Sequence, residues 1–365
     1  MEVEISSIKT QAEKGCHSDT RKTYRNGYPI RRWDTRLGTI YLTIPKVRMG
    51  GYQPFFLVNR QRSEAALMSV IQECWINGVS TRKMRRVFKS FGIEDISAGQ
   101  VSNVTKELDT EIARFRNAPI SEKYPVIWID ALYEKIRIDN KVVSTAIMVA
   151  MGINAEGRKE ILAIEPMENV SKETWGLFFE KLQARGLKEI GLIVSDAHKG
   201  IQAALTSKFL GASWQRCKVH FMRNILARVS LKYKATVGKH LSLVFKQDSF
   251  DVAKTAAYEL IEKFSDVCPE AMETFSNGLE VALQFFHFDE LPKGRTSSTN
   301  HLERLNTEIR RRSNVVGTFP STSSFIRLIG SYLIEYLEDW LSEKAYINPD
   351  KLNLFWTNKE VKMAA

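Results

Sequence analysis

Three textures of apolar and polar residues follow one another along the chain. From Tyr24 to Leu57 short alternating runs dominate: Ile30-Arg-Arg-Trp-Asp-Thr-Arg-Leu-Gly38 and Thr39-Ile-Tyr-Leu-Thr-Ile-Pro45, set between Asn26-Gly27 and Gly50-Gly51. Period-two alternation beside glycine turns predicts a basic β-hairpin within residues 24–60. Residues 61–118 switch to helical spacing. Ser63 opens a helix that Asn77-Gly78 ends, and Ser80 opens a second that ends at Gly92; Ser97 opens a third, in which Val101, Val104, Leu108 and Ile112 recur on one face. Three short helices with glycine turns predict a helix-turn-helix domain, followed by a linker from Pro119 to Pro125. Residues 1–23 are polar and aperiodic and read as a flexible arm.

The third texture, from Val126, is α/β. Strands are expected at 126–130, 134–138 and 142–153, with an Asp139-Asn140 turn, forming an antiparallel meander; Asn154-Ala-Glu-Gly157 turns the chain into a further strand at 160–164. Ser171 caps an amphipathic helix carrying Trp175, Phe178, Phe179 and Leu182 that stops at Gly186, and Glu189 to Ser195 reads as a buried strand. A helix over 200–210 and a short strand near Trp214 follow. Residues 221–290 show helical patterns and no strand. The chain then resumes with a loop, a long helix from about Thr299, a stop at Gly317-Thr-Phe-Pro320 and a helix through Trp340. The expectation is an α/β core in two parts, 125–220 and 291–345, around an all-helical insertion, with 346–365 as a tail.

Charge adds a partner to this picture. The chain carries a formal +11, and residues 1–60 hold eleven Lys/Arg against five Asp/Glu, so six of that surplus sit in the front end. An anionic partner is implied, nucleic acid ahead of a membrane surface. No apolar run reaches the ~18 residues of a membrane helix, and the start lacks a signal-peptide pattern. The four cysteines, Cys16, Cys74, Cys217 and Cys268, lie far apart, which fits a reducing compartment rather than a disulfide framework. A soluble cytoplasmic protein, associated with the nucleoid through DNA, is expected.

The candidate chemistry lies in three acids. Asp130 and Asp196 each follow an apolar run, and Glu303 lies in a helix where Leu302, Leu305 and Ile309 form the buried stripe and Asn300, Glu303, Asn306, Thr307 and Arg310 an adjacent polar one. A carboxylate just past a buried strand must be paired, hydrogen-bonded or metal-bound. Oxygen donors of this kind suit Mg²⁺ or Mn²⁺, and two such ions serve phosphodiester chemistry. For each aspartate the alternative is a turn or cap residue. Around Glu303 cluster Arg304, Arg310, Arg311 and Arg312, suited to phosphate, or to salt bridges in which Glu308 pairs Arg304 or Arg312.

Four ordered motifs carry a resemblance. Asp130-Ala-Leu-Tyr-Glu-Lys-Ile-Arg137, Ser195-Asp-Ala-His-Lys-Gly200, Trp214-Gln-Arg-Cys-Lys-Val-His-Phe-Met-Arg-Asn224 and Ser298-Thr-Asn-His-Leu-Glu-Arg-Leu-Asn-Thr-Glu-Ile-Arg-Arg-Arg312, with Val315-Val-Gly-Thr-Phe-Pro320 after them, resemble the Mutator-type transposases of prokaryotic insertion sequences. The resemblance implies a ribonuclease H-like core with a helical insertion, and an acidic triad matched by Asp130, Asp196 and Glu303 ahead of Glu308, Asp289 or Glu290. It implies metal-dependent strand cleavage and transfer, with about two ions per site, and double-stranded DNA, as terminal inverted repeats and target, bound by a homodimer or larger assembly. Cys217 and His220 match a C-x-x-H feature of the family, read as a packing or hydrogen-bonding pair or as half a zinc site that Cys268 or His240 would have to complete. The polar stretch before Tyr24 is shorter than the family's usual front segment, and the loop before Ser298 lacks an expected tryptophan.

Other residues are assigned by position. Arg82, Lys83, Arg85, Arg86 and Lys89 on the second front helix suit phosphates, while Ser97, Gln100, Ser102, Asn103 and Lys106 at the start of the third suit base edges; a purely architectural three-helix module is the alternative. Tyr133, Lys135 and Arg137 could line a DNA path, alternating faces as strand residues do. His198 could contact phosphate, orient Asp196 or make only a local hydrogen bond. A transposase-derived DNA-binding regulator and a nuclease without strand transfer stay open as alternative functions.

Overall fold

The computed structural model describes residues 22–35, 38–49, 52, 60–90, 97–341 and 344–364, which fall into two compact units, Met1–Thr110 and Glu111–Ala365. All but the last two residues of the expected arm, the Gly50-Gly51 boundary and the Gly92 stop lie outside the described residues.

In the first unit, β1 (Ile30–Thr35) and β2 (Gly38–Thr43) pair antiparallel with Ile30 opposite Thr43. Three helices follow, α1 (Arg60–Ile76), α2 (Thr81–Ser90) and α3 (Ala98–Thr105). Their shared core is Met68, Ile71, Met84, Phe88, Val101 and Val104, and Leu42 of β2 packs against it half-buried. Gly78, at φ +72, ends α1 in a left-handed conformation that favours glycine. The third helix departs from expectation. It breaks at a 3-10 turn, Lys106–Leu108, before α4 (Asp109–Asn117). The apolar stripe serves two cores: Val101 and Val104 belong to the first unit, whereas Ile112 closes over Gly330 in the second.

The second unit is built on a five-stranded mixed sheet in the order β5-β4-β3-β6-β7. Its strands are β3 (Lys123–Ile138), β4 (Lys141–Ile153), β5 (Lys159–Met167), β6 (Glu189–Ser195) and β7 (Ser213–Arg216). The first three form an antiparallel meander, and β6 and β7 run parallel to β3. Two expected strands, 126–130 and 134–138, are one continuous strand. The change in texture marks a change in cover: the first half of β3 is buried on both faces, while the second half alternates between buried Leu132 and Ile136 and exposed Tyr133, Lys135 and Arg137. Asp139 and Asn140, both at positive φ, make the tight turn into β4.

Helices α5 (Lys172–Ala184) and α6 (Lys199–Lys208) cover one sheet face, where Trp175, Phe178, Phe179 and Leu205 meet Ile127, Ile129 and Ile193. After β7 come α7 (Lys218–Leu226), α8 (Leu231–Val244), α9 (Phe250–Phe264) and α10 (Pro269–Ala282), a helical block around Phe221, Ile225, Leu241, Leu260 and Phe275. Buried Gln215 ties this block to the sheet edge: its amide donates to Ala282 O at 2.8 Å and its Oε1 accepts from Phe285 N at 2.8 Å. The short α11 (Lys293–Thr296) leads into α12 (Asn300–Val316) and α13 (Thr322–Leu341), which pack on β3.

The expected tail is in fact helix α14 (Pro349–Ala364). Its buried Leu352 and Phe355 form a stripe too narrow to stand out in the sequence, and Phe355 sits on Gly191, where an added Cβ would lie 2.4 Å from the ring. Replacing Gln215 by alanine strands a buried carbonyl and a buried N–H. Gln215→Ala should cost about 2–4 kcal/mol, read as a lowered urea midpoint; an unchanged midpoint would count against the staple.

Candidate active site

The sheet register brings two of the acids together. The parallel pairing of β3 with β6 ends at Trp128 opposite Val194, so two more residues along each strand set Asp130 beside Asp196. Asp196 is the first residue beyond β6, as expected. Asp130 lies mid-strand, still paired to β4 opposite Val149 but with no parallel neighbour on its other side. Each aspartate accepts a backbone N–H from the next residue, Ala131 to Asp130 Oδ1 at 2.8 Å and Ala197 to Asp196 Oδ1 at 2.7 Å.

Helix α12 supplies the third acid and an amide. Leu302, Leu305 and Ile309 are buried, and the same packing turns Glu303, Asn306 and Ser313 toward the sheet. Asn306, only 7% exposed, donates from Nδ2 to Asp130 Oδ2 at 2.8 Å. One step along, Ser313 Oγ donates to Glu134 Oε1 at 2.7 Å. Asp130, Asn306, Glu134 and Ser313 thus form a polar seam under α12, on the face of β3 opposite that covered by α5 and α6. Asn300, Thr307 and Arg310 of the expected stripe are exposed instead.

His220 lies beside Glu303, its Nε2 3.2 Å from Glu303 Oε1 without hydrogen-bond alignment. Cys217, His220 and Glu303 present donor atoms all within 4.8 Å of one another. The Cys217 Sγ accepts from Thr299 N at 3.4 Å and from Thr299 Oγ1 at 3.3 Å.

The charges are poorly balanced. Burial pushes the Asp130 carboxyl above its usual range, and the negative charges of Asp196 and Glu303 add to the rise; the Ala131 N–H and His220 oppose it. His220 is pushed up to about 9, first by the neighbouring Cys217 and then by the charges of Asp196 and Glu303, with burial opposing. Burial would raise the Cys217 thiol, but His220 and Thr299 outweigh it and lower it. Glu303 Oε1 and Asn306 Oδ1 are buried without hydrogen-bond partners. Buried acceptors facing an excess of negative charge are what an oxygen-seeking divalent cation satisfies, so these residues fit one.

Comparison with known proteins agrees with the motifs. The Transposase, Mutator family, matches residues 1–343. This chain belongs to the Mutator family of transposases. It is 36% identical to the transposase for insertion sequence element IS256 in transposon Tn4001 of Staphylococcus aureus over 345 residues, 93% of this chain and 88% of the relative. It is 37% identical to the transposase for insertion sequence element IS1081 of Mycobacterium tuberculosis over 337 residues, 92% and 81% of the two chains. Among solved structures, the Drosophila P element transposase strand transfer complex aligns with a TM-score of 0.31 at 14% identity, covering 80% of this chain and 86% of that one; so loose a superposition carries no weight.

Rival third acids are engaged elsewhere: Glu308 pairs Arg311 and Arg312, Asp289 pairs Lys293, and Glu290 accepts from Asn358. Arg312 is buried, its guanidinium 3.5 Å from the Tyr332 ring centroid, whereas Arg304, Arg310 and Arg311 are exposed. Tyr133, Lys135 and Arg137 do not alternate: residues two apart share one face of β3, here the face opposite Asp130. His198 makes the local hydrogen bond, its Nδ1 accepting from Gly200 N at 3.2 Å to cap α6.

On α2, Arg82, Lys83, Arg85, Arg86 and Lys89 are exposed over buried Met84 and Phe88. On α3, Ser102 and Asn103 are exposed, and Lys106, just past its end, is exposed too and reaches Asn103 at 3.2 Å. Gln100 closes a capping box, its Oε1 accepting from Ser97 N at 2.8 Å. Arg216 was not singled out from the sequence. It lies near enough to feel the charge of Asp196, half-buried, with its guanidinium 4.1 Å from the Phe221 ring centroid.

A carboxyl that holds its proton more tightly folded than unfolded makes stability fall as pH rises from the ordinary aspartate range through the raised value. In metal-free protein, Asp130→Asn should therefore raise the thermal midpoint at neutral pH, a gain that disappears in acid below the carboxylate range. A midpoint unchanged or lowered at neutral pH would contradict the charge imbalance.

Proposed function

We propose that this transposase binds the terminal inverted repeats of an insertion sequence and catalyses metal-dependent DNA strand cleavage and strand transfer on a ribonuclease H-like core. The observation that carries the reading is the contact of α12 with β3: Asn306 bonds Asp130 across 176 residues of chain and sets Glu303 beside the same pair of aspartates. Three antiparallel strands followed by two parallel ones, with acids on the central strand and just past its parallel neighbour, are in keeping with that core.

Asp130, Asp196 and Glu303 would hold Mg²⁺ or Mn²⁺, about two ions. Such ions, when bound, activate the attacking oxygen and stabilise the leaving oxygen of a phosphodiester. The chain's own residues prepare the site. Asn306 fixes the Asp130 carboxylate by its amide donor, and the strand register fixes the spacing of the two aspartates. Arg216 adds positive charge beside Asp196, and a guanidinium is suited to a phosphate arriving there. The basic face of α2 supplies phosphate contacts for the element ends, with Ser102 and Asn103 of α3 and Lys106 just past its end available to base edges. Pairing two ends calls for a homodimer or larger assembly on DNA, in the cytoplasm.

Labelled terminal repeats incubated with the protein, a target plasmid and Mg²⁺ should yield joined product. Cleavage alone would favour a nuclease, and a shifted band alone a DNA-binding regulator. Alanine at Asp130, Asp196 or Glu303 should lower cleavage by more than the about 100-fold typical of residues one shell out from a metal, and Asn306→Ala should stay within about 10–100-fold. End binding should persist in all four; a triad variant that still cleaves would overturn the assignment. Removing Arg82, Lys83 and Arg86 together should flatten the salt dependence of end binding by about 0.9 in log–log slope per lost contact, and an unchanged slope would remove α2 from the interface.

A further inference from the structure

The Cys217–His220 pair has no part in the chemistry above, yet it sits where three segments meet. Cys217 N donates to Ser195 O at 2.8 Å, one residue before Asp196, and Lys218 N donates to Ser297 O at 2.9 Å, just ahead of α12. The thiol is fully buried. A threonine at a helix start ordinarily turns its hydroxyl onto its own helix. Thr299 does not: it makes no side-chain cap to α12, and both its N–H and its hydroxyl go to the Cys217 sulfur. His220, one turn into α7, then places Nε2 3.2 Å from Glu303 Oε1.

We propose that Cys217 and His220 are a positioning unit for Glu303, the sulfur anchoring the first turn of α12 and the imidazole holding the carboxylate toward Asp130 and Asp196. The proposal rests on the reading of Glu303 as the third acid. It gives the helical block a direct hold on the active site, because α7 carries His220 and is also part of the block's core through Phe221 and Ile225. His220 is thus a positioning residue, acting through Glu303.

The test uses the full-length protein with His220→Ala, His220→Gln and Cys217→Ser. Glutamine can place an amide nitrogen near the position of Nε2, so it keeps a polar N–H group beside Glu303. Three quantities are read: affinity for a terminal-repeat duplex, single-turnover cleavage, and amide hydrogen exchange over residues 299–303 in metal-free protein. His220→Ala should lose about 10–100-fold in cleavage with end affinity unchanged, and His220→Gln should recover most of it. Exchange over 299–303 should quicken in His220→Ala and Cys217→Ser and stay near wild type in His220→Gln. Full cleavage by His220→Ala, a glutamine variant as defective as the alanine one, or unaltered exchange would each overturn the proposal. So would stoichiometric zinc in the wild-type protein that Cys217→Ser loses, which would make the cluster a metal site. If the wild-type protein itself neither cleaves nor joins DNA, the functional reading fails, while the exchange measurement still tests the positioning.

Discussion

A carboxylate in the middle of a buried strand carries a heavy solvation penalty, and the second unit is arranged around one such group. Asp130 accepts from Ala131 N and from Asn306, and two further acids stand near enough to raise its proton affinity. Packing alone would place an apolar residue there, as it does at Trp128 and Leu132 on either side. Keeping an acid at this point weakens the empty fold, and that loss is explained if the site is built to be completed by cation and phosphate.

Each neighbouring element contributes to that one place. The end of the β3–β6 pairing sets the two aspartates side by side, the buried leucines of α12 turn Glu303 and Asn306 inward, and Glu134 with Ser313 extends the seam. The helical block is joined to the sheet by Gln215 and to α12 through Cys217. It therefore packs as part of the second unit's framework, with its own core and two polar fastenings.

Much of this was legible in the sequence because it rests on local pattern. Apolar runs marked the strands, Ser171 and Gly186 marked the limits of α5, and the polar stripe on α12 singled out Glu303 and Asn306. What was not legible depends on partners distant in the chain. A change of cover halfway along β3 looked like a strand break, and an apolar stripe shared by two cores hid the turn at Lys106–Leu108. The position of Arg216 beside Asp196 follows from the pairing of β7 with β6, which no local spacing announces.

Acids separated by the helical block are proposed to form one shared site for divalent cations. This is tested most directly by titrating Mn²⁺ into the metal-free protein and following the free ion by electron paramagnetic resonance, for wild type and for alanine variants at Asp130, Asp196 and Glu303. If the acids act together, each variant loses binding seen in the wild type, Glu303→Ala included. Binding by Glu303→Ala indistinguishable from wild type, with loss only in the two aspartate variants, would contradict the shared site.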